Sequence, residues 1–147
     1  MRRGMGLAWL LCGVAGCMGP GEEGGQYYEV QVVSAAVAPD DNGLPWDPDG
    51  SPPDVKVTLT CPGRPPTVTT EVESFAPTFG TGACSASRRD LQDDGVFVLV
   101  EDVDPGFNAV ILNGVNIRPR PDELLDGQLV YGPEGGLQSI TLRFIRK

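Results

Sequence analysis

The chain has 147 residues, 20 of them Gly and 14 Pro, and a formal net charge of −9. That length allows one domain with a modest core, and the short apolar runs argue for an all-β protein over a helical one. The acidic balance argues against a nucleic-acid partner, because phosphate binding needs a basic patch.

Chain order begins with an address. Met1-Arg2-Arg3-Gly4-Met5-Gly6 is a positive leader, Leu7 to Ala15 is a short apolar run, and Val14-Ala15-Gly16-Cys17 closes it. These are the three parts of a secretory signal peptide, and the run is far too short to span a bilayer as a helix. The ending resembles the lipobox of bacterial lipoproteins, in which small residues precede a cysteine that is acylated and becomes the new N-terminus. The resemblance implies a signal peptide over residues 1–16 and a lipid on Cys17, tying the protein to a bilayer of the cell envelope. Met18 stands where an Asp would direct inner-membrane retention, so the outer membrane is expected. Residues 17–26 read as a flexible tether, since Gly19-Pro20-Gly21-Glu22-Glu23-Gly24-Gly25-Gln26 can bury nothing. With Arg2 and Arg3 gone, 9 basic residues face 20 acidic ones, a net −11.

Four cysteines are present. Cys12 leaves with the leader and Cys17 takes lipid, so Cys61 and Cys84 remain as a lone pair in an exported chain where oxidation is permitted. The sequence has no histidine, and a zinc site would have too few soft ligands. A disulfide is expected.

The domain is expected over residues 27–147. Tyr28 to Val37 forms the first strand, with Val30 and Val32 on one face and Val33, Ala35 and Val37 on the other, which places it centrally. Pro39 to Pro53 is a long ordered loop, rich in turn residues. Val55, Val57, Leu59 and Cys61 alternate with polar residues as the clearest half-buried strand. Thr67 to Glu73 returns, and the Phe75–Gly80 bend carries two aromatics to bury. Val96 to Val100 is apolar on both faces and belongs mid-sheet. Val110 to Ile117 follows, then one helical turn from Pro121 to Gly127. The last strand runs from Gln138 to Ile145, with Ile140, Leu142 and Phe144 inward. With segments near Ser85 and Leu129, the total is seven or eight short strands in one antiparallel sandwich.

Two loops carry the chemistry. Leu44-Pro45-Trp46-Asp47-Pro48-Asp49-Gly50-Ser51-Pro52-Pro53-Asp54 precedes the clearest strand, and Glu101-Asp102-Val103-Asp104-Pro105-Gly106-Phe107-Asn108 follows the apolar one. Both cluster acids with turn residues and an aromatic. With the Ser74-Phe75-Ala76-Pro77-Thr78-Phe79 bend between them, the order resembles a C2 domain over roughly Tyr28 to Lys147. That resemblance implies a C2-like β-sandwich whose two acidic loops lie side by side and hold calcium for membrane contact. Asp47 and Asp54 match the first loop's pair, and Asp102 and Asp104 the other loop's pair. The chain departs from the pattern in three places. Val55-Lys56 lacks the usual Pro-Tyr, the gap from Asp47 to Asp54 is one residue longer, and Asn108 stands nearest the fifth aspartate.

Calcium takes six to eight oxygen ligands. Asp47, Asp49, Asp54, Asp102, Asp104 and Asn108, with Glu101 nearby, supply enough, and no Lys or Arg lies between Pro39 and Val55 or between Asp93 and Ile117. Like charges without a counter-ion favour an external cation. The alternative is that Asp-Pro and Asp-Gly are turn chemistry in an acidic protein. Trp46 and Phe107 are either loop-tip contacts for a membrane or partner, or packing residues that close the sandwich end. Asp47-Pro48-Asp49-Gly50 lacks the downstream Glu of an EF-hand. Enzyme readings fall away, since no imidazole, no Gly-x-Ser-x-Gly elbow and no phosphate-cradling loop is present. Two functions stand: an envelope-anchored binding module that depends on calcium, and a structural or protein-interaction lipoprotein with the same fold and no ion.

Overall fold

The protein is described by a computed structural model over residues 25–106 and 108–147. The leader, Cys17, all but the last two tether residues, and Phe107 lie outside the described residues.

β1 (Tyr27–Val37) sits between two partners, pairing with β5 (Ala83–Ser87) on one side and β9 (Leu137–Arg146) on the other. The central position is as expected, but the two apolar faces turn out to be one. A register shift between Val32 and Ser34 inserts an extra residue. Tyr28, Val30 and Val32 point inward before it, Ala35 and Val37 after it, and Val33 is the residue left half-exposed. A bulge flips the side-chain alternation, which a strict period of two cannot anticipate.

β2 (Asp54–Thr60) follows its pattern, with Val55, Val57 and Leu59 fully buried. Its returning partner is split into β3 (Thr67–Val68) and β4 (Val72–Glu73), which pair with opposite ends of β2. Thr69 lies between them, accepting the Val57 N–H on its own hydroxyl at 3.0 Å while its N–H donates to the Val57 carbonyl at 2.9 Å. Counting β3 and β4 as one interrupted strand gives eight strands among the described residues.

β6 (Val96–Val103) lies mid-sheet between β2 and β7 (Asn108–Ile117). Its Phe97 ring lies on Gly114 of β7 so closely that a Cβ there would push the ring aside. β8 (Gln128–Tyr131) pairs with β9, whose Ile140, Leu142 and Phe144 face inward. The sheets run β5-β1-β9-β8 and β3-β2-β6-β7, with β4 also on β2. Every pairing is antiparallel.

Two short helices join strands at one end. α2 (Pro121–Asp126) begins on Pro and stops at Gly127 in a left-handed conformation, in line with the sequence expectation. α1 (Arg88–Asp93) is an element beyond that expectation. Its signal is the Ser87-Arg88-Arg89-Asp90 cap, in which Ser87 Oγ accepts the Asp90 N–H at 3.1 Å. Cys61, just beyond β2, is disulfide-bonded to Cys84 of β5, which staples one sheet to the other.

Candidate functional site

The antiparallel register assembles the site. β1 ends at Val37 and β2 begins at Asp54, so the 38–53 loop crosses from one sheet to the other. Val55 pairs with Asp102, so the end of β6 lies beside the start of β2. The loop after β1 and the turn after β6 therefore meet at one end of the sandwich.

Alternation along β6 then sorts the acids. Asp102 points inward and is fully buried, Asp104 shares its parity, and Glu101 points to the outer face. Asp47, Asp102 and Asp104 can each offer a carboxylate oxygen within 4.8 Å of the others'. Asp47 arrives through a tight turn in which its carbonyl accepts the Gly50 N–H at 3.0 Å.

Asp102 is the centre of the group. Its Oδ1 accepts the Asp54 N–H at 2.8 Å, while its Oδ2 is buried with no hydrogen-bond partner. Burial raises its pKa above the ordinary 3.8; the Asp54 N–H opposes the rise, and Asp104, Asp47 and Asp54 add repulsion. Asp104 is raised as well, first by desolvation and then by its hydrogen bond with the Asp47 carboxyl and the charges of Asp47 and Asp54. In both, desolvation leads and the neighbouring carboxylates add to it.

The other sequence candidates fall around this group, not in it. Asp54 lends its main-chain N–H and its negative charge, and its carboxylate lies outside the triad. Asp49 is turned into its own loop, accepting from Ser51 N at 3.0 Å and Ser51 Oγ at 2.7 Å, and the Ser51 hydroxyl chiefly lowers its pKa. Asn108 donates to Glu101 Oε1 at 3.2 Å on the outer face, where Glu101 also meets Lys56 at 3.7 Å. Trp46 is a packing residue: it is 7% exposed, its Nε1 donates to the Ala38 carbonyl at 2.8 Å, and its ring rests against Gly136. Beside the triad, Trp46, Asp47, Pro48, Asp49, Asp104 and Pro105 line a cleft of about 500 Å³.

Calcium fits the donor set. Three carboxylates converge, all hard oxygen ligands, and one buried oxygen among them lacks any partner in the protein. An ion held there would neutralise charge that the fold otherwise leaves opposed. A set this small, completed by carbonyls or water, belongs with weak sites in the ~10⁻⁴–10⁻³ M range.

No protein-family model and no curated protein sequence matches the chain. Solved structures do. Human GIVD cytosolic phospholipase A2, in complex with methyl gamma-linolenyl fluorophosphonate and terbium chloride, aligns with a TM-score of 0.54 at 16% identity. That alignment covers 82% of this chain and 17% of the phospholipase, so this chain spans only a small part of that protein. A structure described simply as a C2 domain aligns at 0.50 with 15% identity, over 81% of this chain and 97% of that one. A C2 domain of plant extended synaptotagmin 1 aligns at 0.50 with 20% identity, over 81% and 93%. At these identities the likeness concerns architecture, and what it shows is that this chain folds as a C2-like antiparallel β-sandwich.

Proposed function

We propose that this protein is an envelope-anchored binding module, tied to the outer membrane through acylated Cys17, whose loop end binds calcium and with it a membrane or protein partner. The carrying observation is the buried, unpartnered Oδ2 of Asp102, a residue whose carboxylate converges with those of Asp47 and Asp104. A fold does not ordinarily bury a carboxylate oxygen without a donor or a cation. Asp47, Asp102 and Asp104 hold the ion, which would supply an electrophilic centre for phosphate or carboxylate groups of the partner. Asp54 serves by fixing Asp102 through its N–H. The C2-like neighbours support a binding role, and the absence of histidine from the sequence weighs against acid–base catalysis.

A second reading draws on the closeness of the Asp47 and Asp104 carboxyls. If a retained proton quiets the cluster, the protein is a structural or protein-interaction lipoprotein with no ion. Melting temperature separates the two. An ion bound only by the native state at a hundred times its dissociation constant adds about 2.7 kcal/mol, a rise of several degrees in a domain of this size. Calcium at ~10 mM should therefore raise the melting temperature, and a monovalent salt of equal ionic strength should not. Identical curves in the two salts would rule out the calcium reading.

A further inference from the structure

β7 is a long strand edge that the fold leaves open. It pairs with β6 alone, while the other margin of its sheet is made by β3 and β4, two residues each, set among Pro65, Pro66 and Pro77. The edges of the second sheet are β5, five residues running straight into α1, and β8, four residues. Short strands, prolines and charges keep sheet margins from pairing with another chain. β7 has none of these. It is ten residues, Asn108 to Ile117, without proline and without a charge, in a chain of net −9. Register shifts against β6 leave Ile111 and Leu112 both inward, and Val110, Asn113 and Asn116 stay exposed along the strand. Gly136 N–H takes the Ile111 carbonyl at 2.8 Å. No other main-chain bond joins β7 to anything but β6 among the described residues.

Charge is ordered along this strand. Ahead of Asn108 stand Glu101, Asp102 and Asp104, and behind Ile117 stand Arg118 and Arg120. Arg120 is engaged by Asp122 and Glu123. Arg118 is exposed and has no ion pair among the described residues. Its stem lies over Gly95, where a Cβ would fall 2.9 Å from Arg118 Cγ, so the side chain is laid along the end of the sheet.

We infer that β7 is a docking edge for a second copy of this chain, paired antiparallel about a two-fold axis at Asn113. The antiparallel sense follows from the charge order. It brings the arginine end of each copy to the acidic end of the other, twice, whereas parallel pairing would set like charges together. The register follows from the faces. Val110 pairs with Glu101 and Asn116 with Phe97, both on the outer face of β6, so Val110 and Asn116 share that face. Residues opposed across a ladder lie on the same side of it. An axis at Asn113 sets Val110 against the second copy's Asn116, and Arg118 against the second copy's Asn108. Asn108 donates to Glu101, so each Arg118 comes beside a Glu101 carboxylate that faces outward. One sheet then runs through both copies. The inference stands apart from the calcium reading, because no residue of the ion site takes part.

A contact through one strand falls below the ~1,200 Å² of stable complexes, so this dimer is a weak one. The sample is the chain from residue 17 onward, with Cys17→Ala to keep that thiol from joining copies. Sedimentation velocity should show monomer giving way to dimer between ~10 µM and ~1 mM. Hydrogen exchange at the upper concentration should slow at the amides of residues 108–117 and stay unchanged at those of β8. Arg118→Glu and Glu101→Arg should each weaken the dimer roughly tenfold, and a chain carrying both should regain wild-type association, since the charges are exchanged and the match restored. Melts at ~10 µM establish that each variant is folded. A monomer across the whole range would overturn the inference, as would a dimer whose slowed amides lie outside β7. A dimer indifferent to Arg118→Glu, or one that the double exchange fails to restore, would overturn the charge-matched antiparallel pairing.

Discussion

The main-chain N–H of Asp54 donates to Oδ1 of Asp102 at 2.8 Å, across 48 residues of sequence. This bond holds the first residue of β2 against the end of β6, and it leaves the other oxygen of Asp102 buried without a hydrogen-bond partner. On the proposed reading one carboxylate has two duties, with one oxygen for the fold and one for the ion.

Asp102→Asn separates those duties. The amide oxygen still accepts from Asp54, while the amide nitrogen can donate toward Asp47 and Asp104. The calcium-induced rise in melting temperature should vanish. Without calcium the variant should be more stable than wild type, by on the order of 1 kcal/mol, because repulsion falls and the unpartnered buried acceptor is replaced by a donor. Asp47→Asn should also abolish the calcium response. Thermal melts with calcium and with chelator check both variants, and an undiminished calcium response in Asp102→Asn would remove the site.

Acidity should mimic the ion. Asp102 and Asp104 both titrate above the ordinary value of 3.8 in the folded state. A raised folded pKa means the native state holds its protons longer than the unfolded chain, so this contribution is fully present below ~3.8 and is lost as pH rises through the folded values. In chelator, the contribution of this pair should therefore decline as pH rises above about 4, so the difference in stability between wild type and Asp102→Asn should widen in that direction. Chemical denaturation at a series of pH values checks the slope, and parallel curves would disprove the coupling.

The disulfide should carry a large share of the domain's stability. Cys61 and Cys84 are 23 residues apart and join opposite sheets. Replacing both by Ala should cost about 3 kcal/mol in the chain-entropy account. Thiol labelling of the denatured, unreduced protein should find neither cysteine free.

Acylation at Cys17 is tested in cells. Cys17→Ala should leave the precursor uncleaved and move the protein out of the detergent-extracted membrane fraction. Processing and partitioning like wild type would contradict the lipoprotein reading. A single acyl chain holds a protein only marginally, so durable anchoring needs more than one lipid signal.

Local pattern determined much of this protein by itself. The alternation from Val55 to Cys61 and from Ile140 to Phe144, the apolar run from Val96 to Val100, and the Pro121–Gly127 helical turn are each written within a few residues. Two loops crowded with acid, without Lys or Arg, were legible in the same way, as was the lone cysteine pair. What only the tertiary structure decided is which of those acids meet. Asp102 faces inward and Glu101 outward because strand parity and a particular register set them so, and register is a long-range property of β2 against β6. Asp49 and Asn108 stand in the same two loops as lesser candidates in sequence, and Ser51 and Glu101 claim their side chains. Trp46, which resembles an exposed loop tip, is buried because Gly136 of another loop leaves room for its ring. The bulge after Val32 and the opposition of termini and acidic loops arise likewise from how strands pair across the sheets, and no stretch read alone contains that pairing.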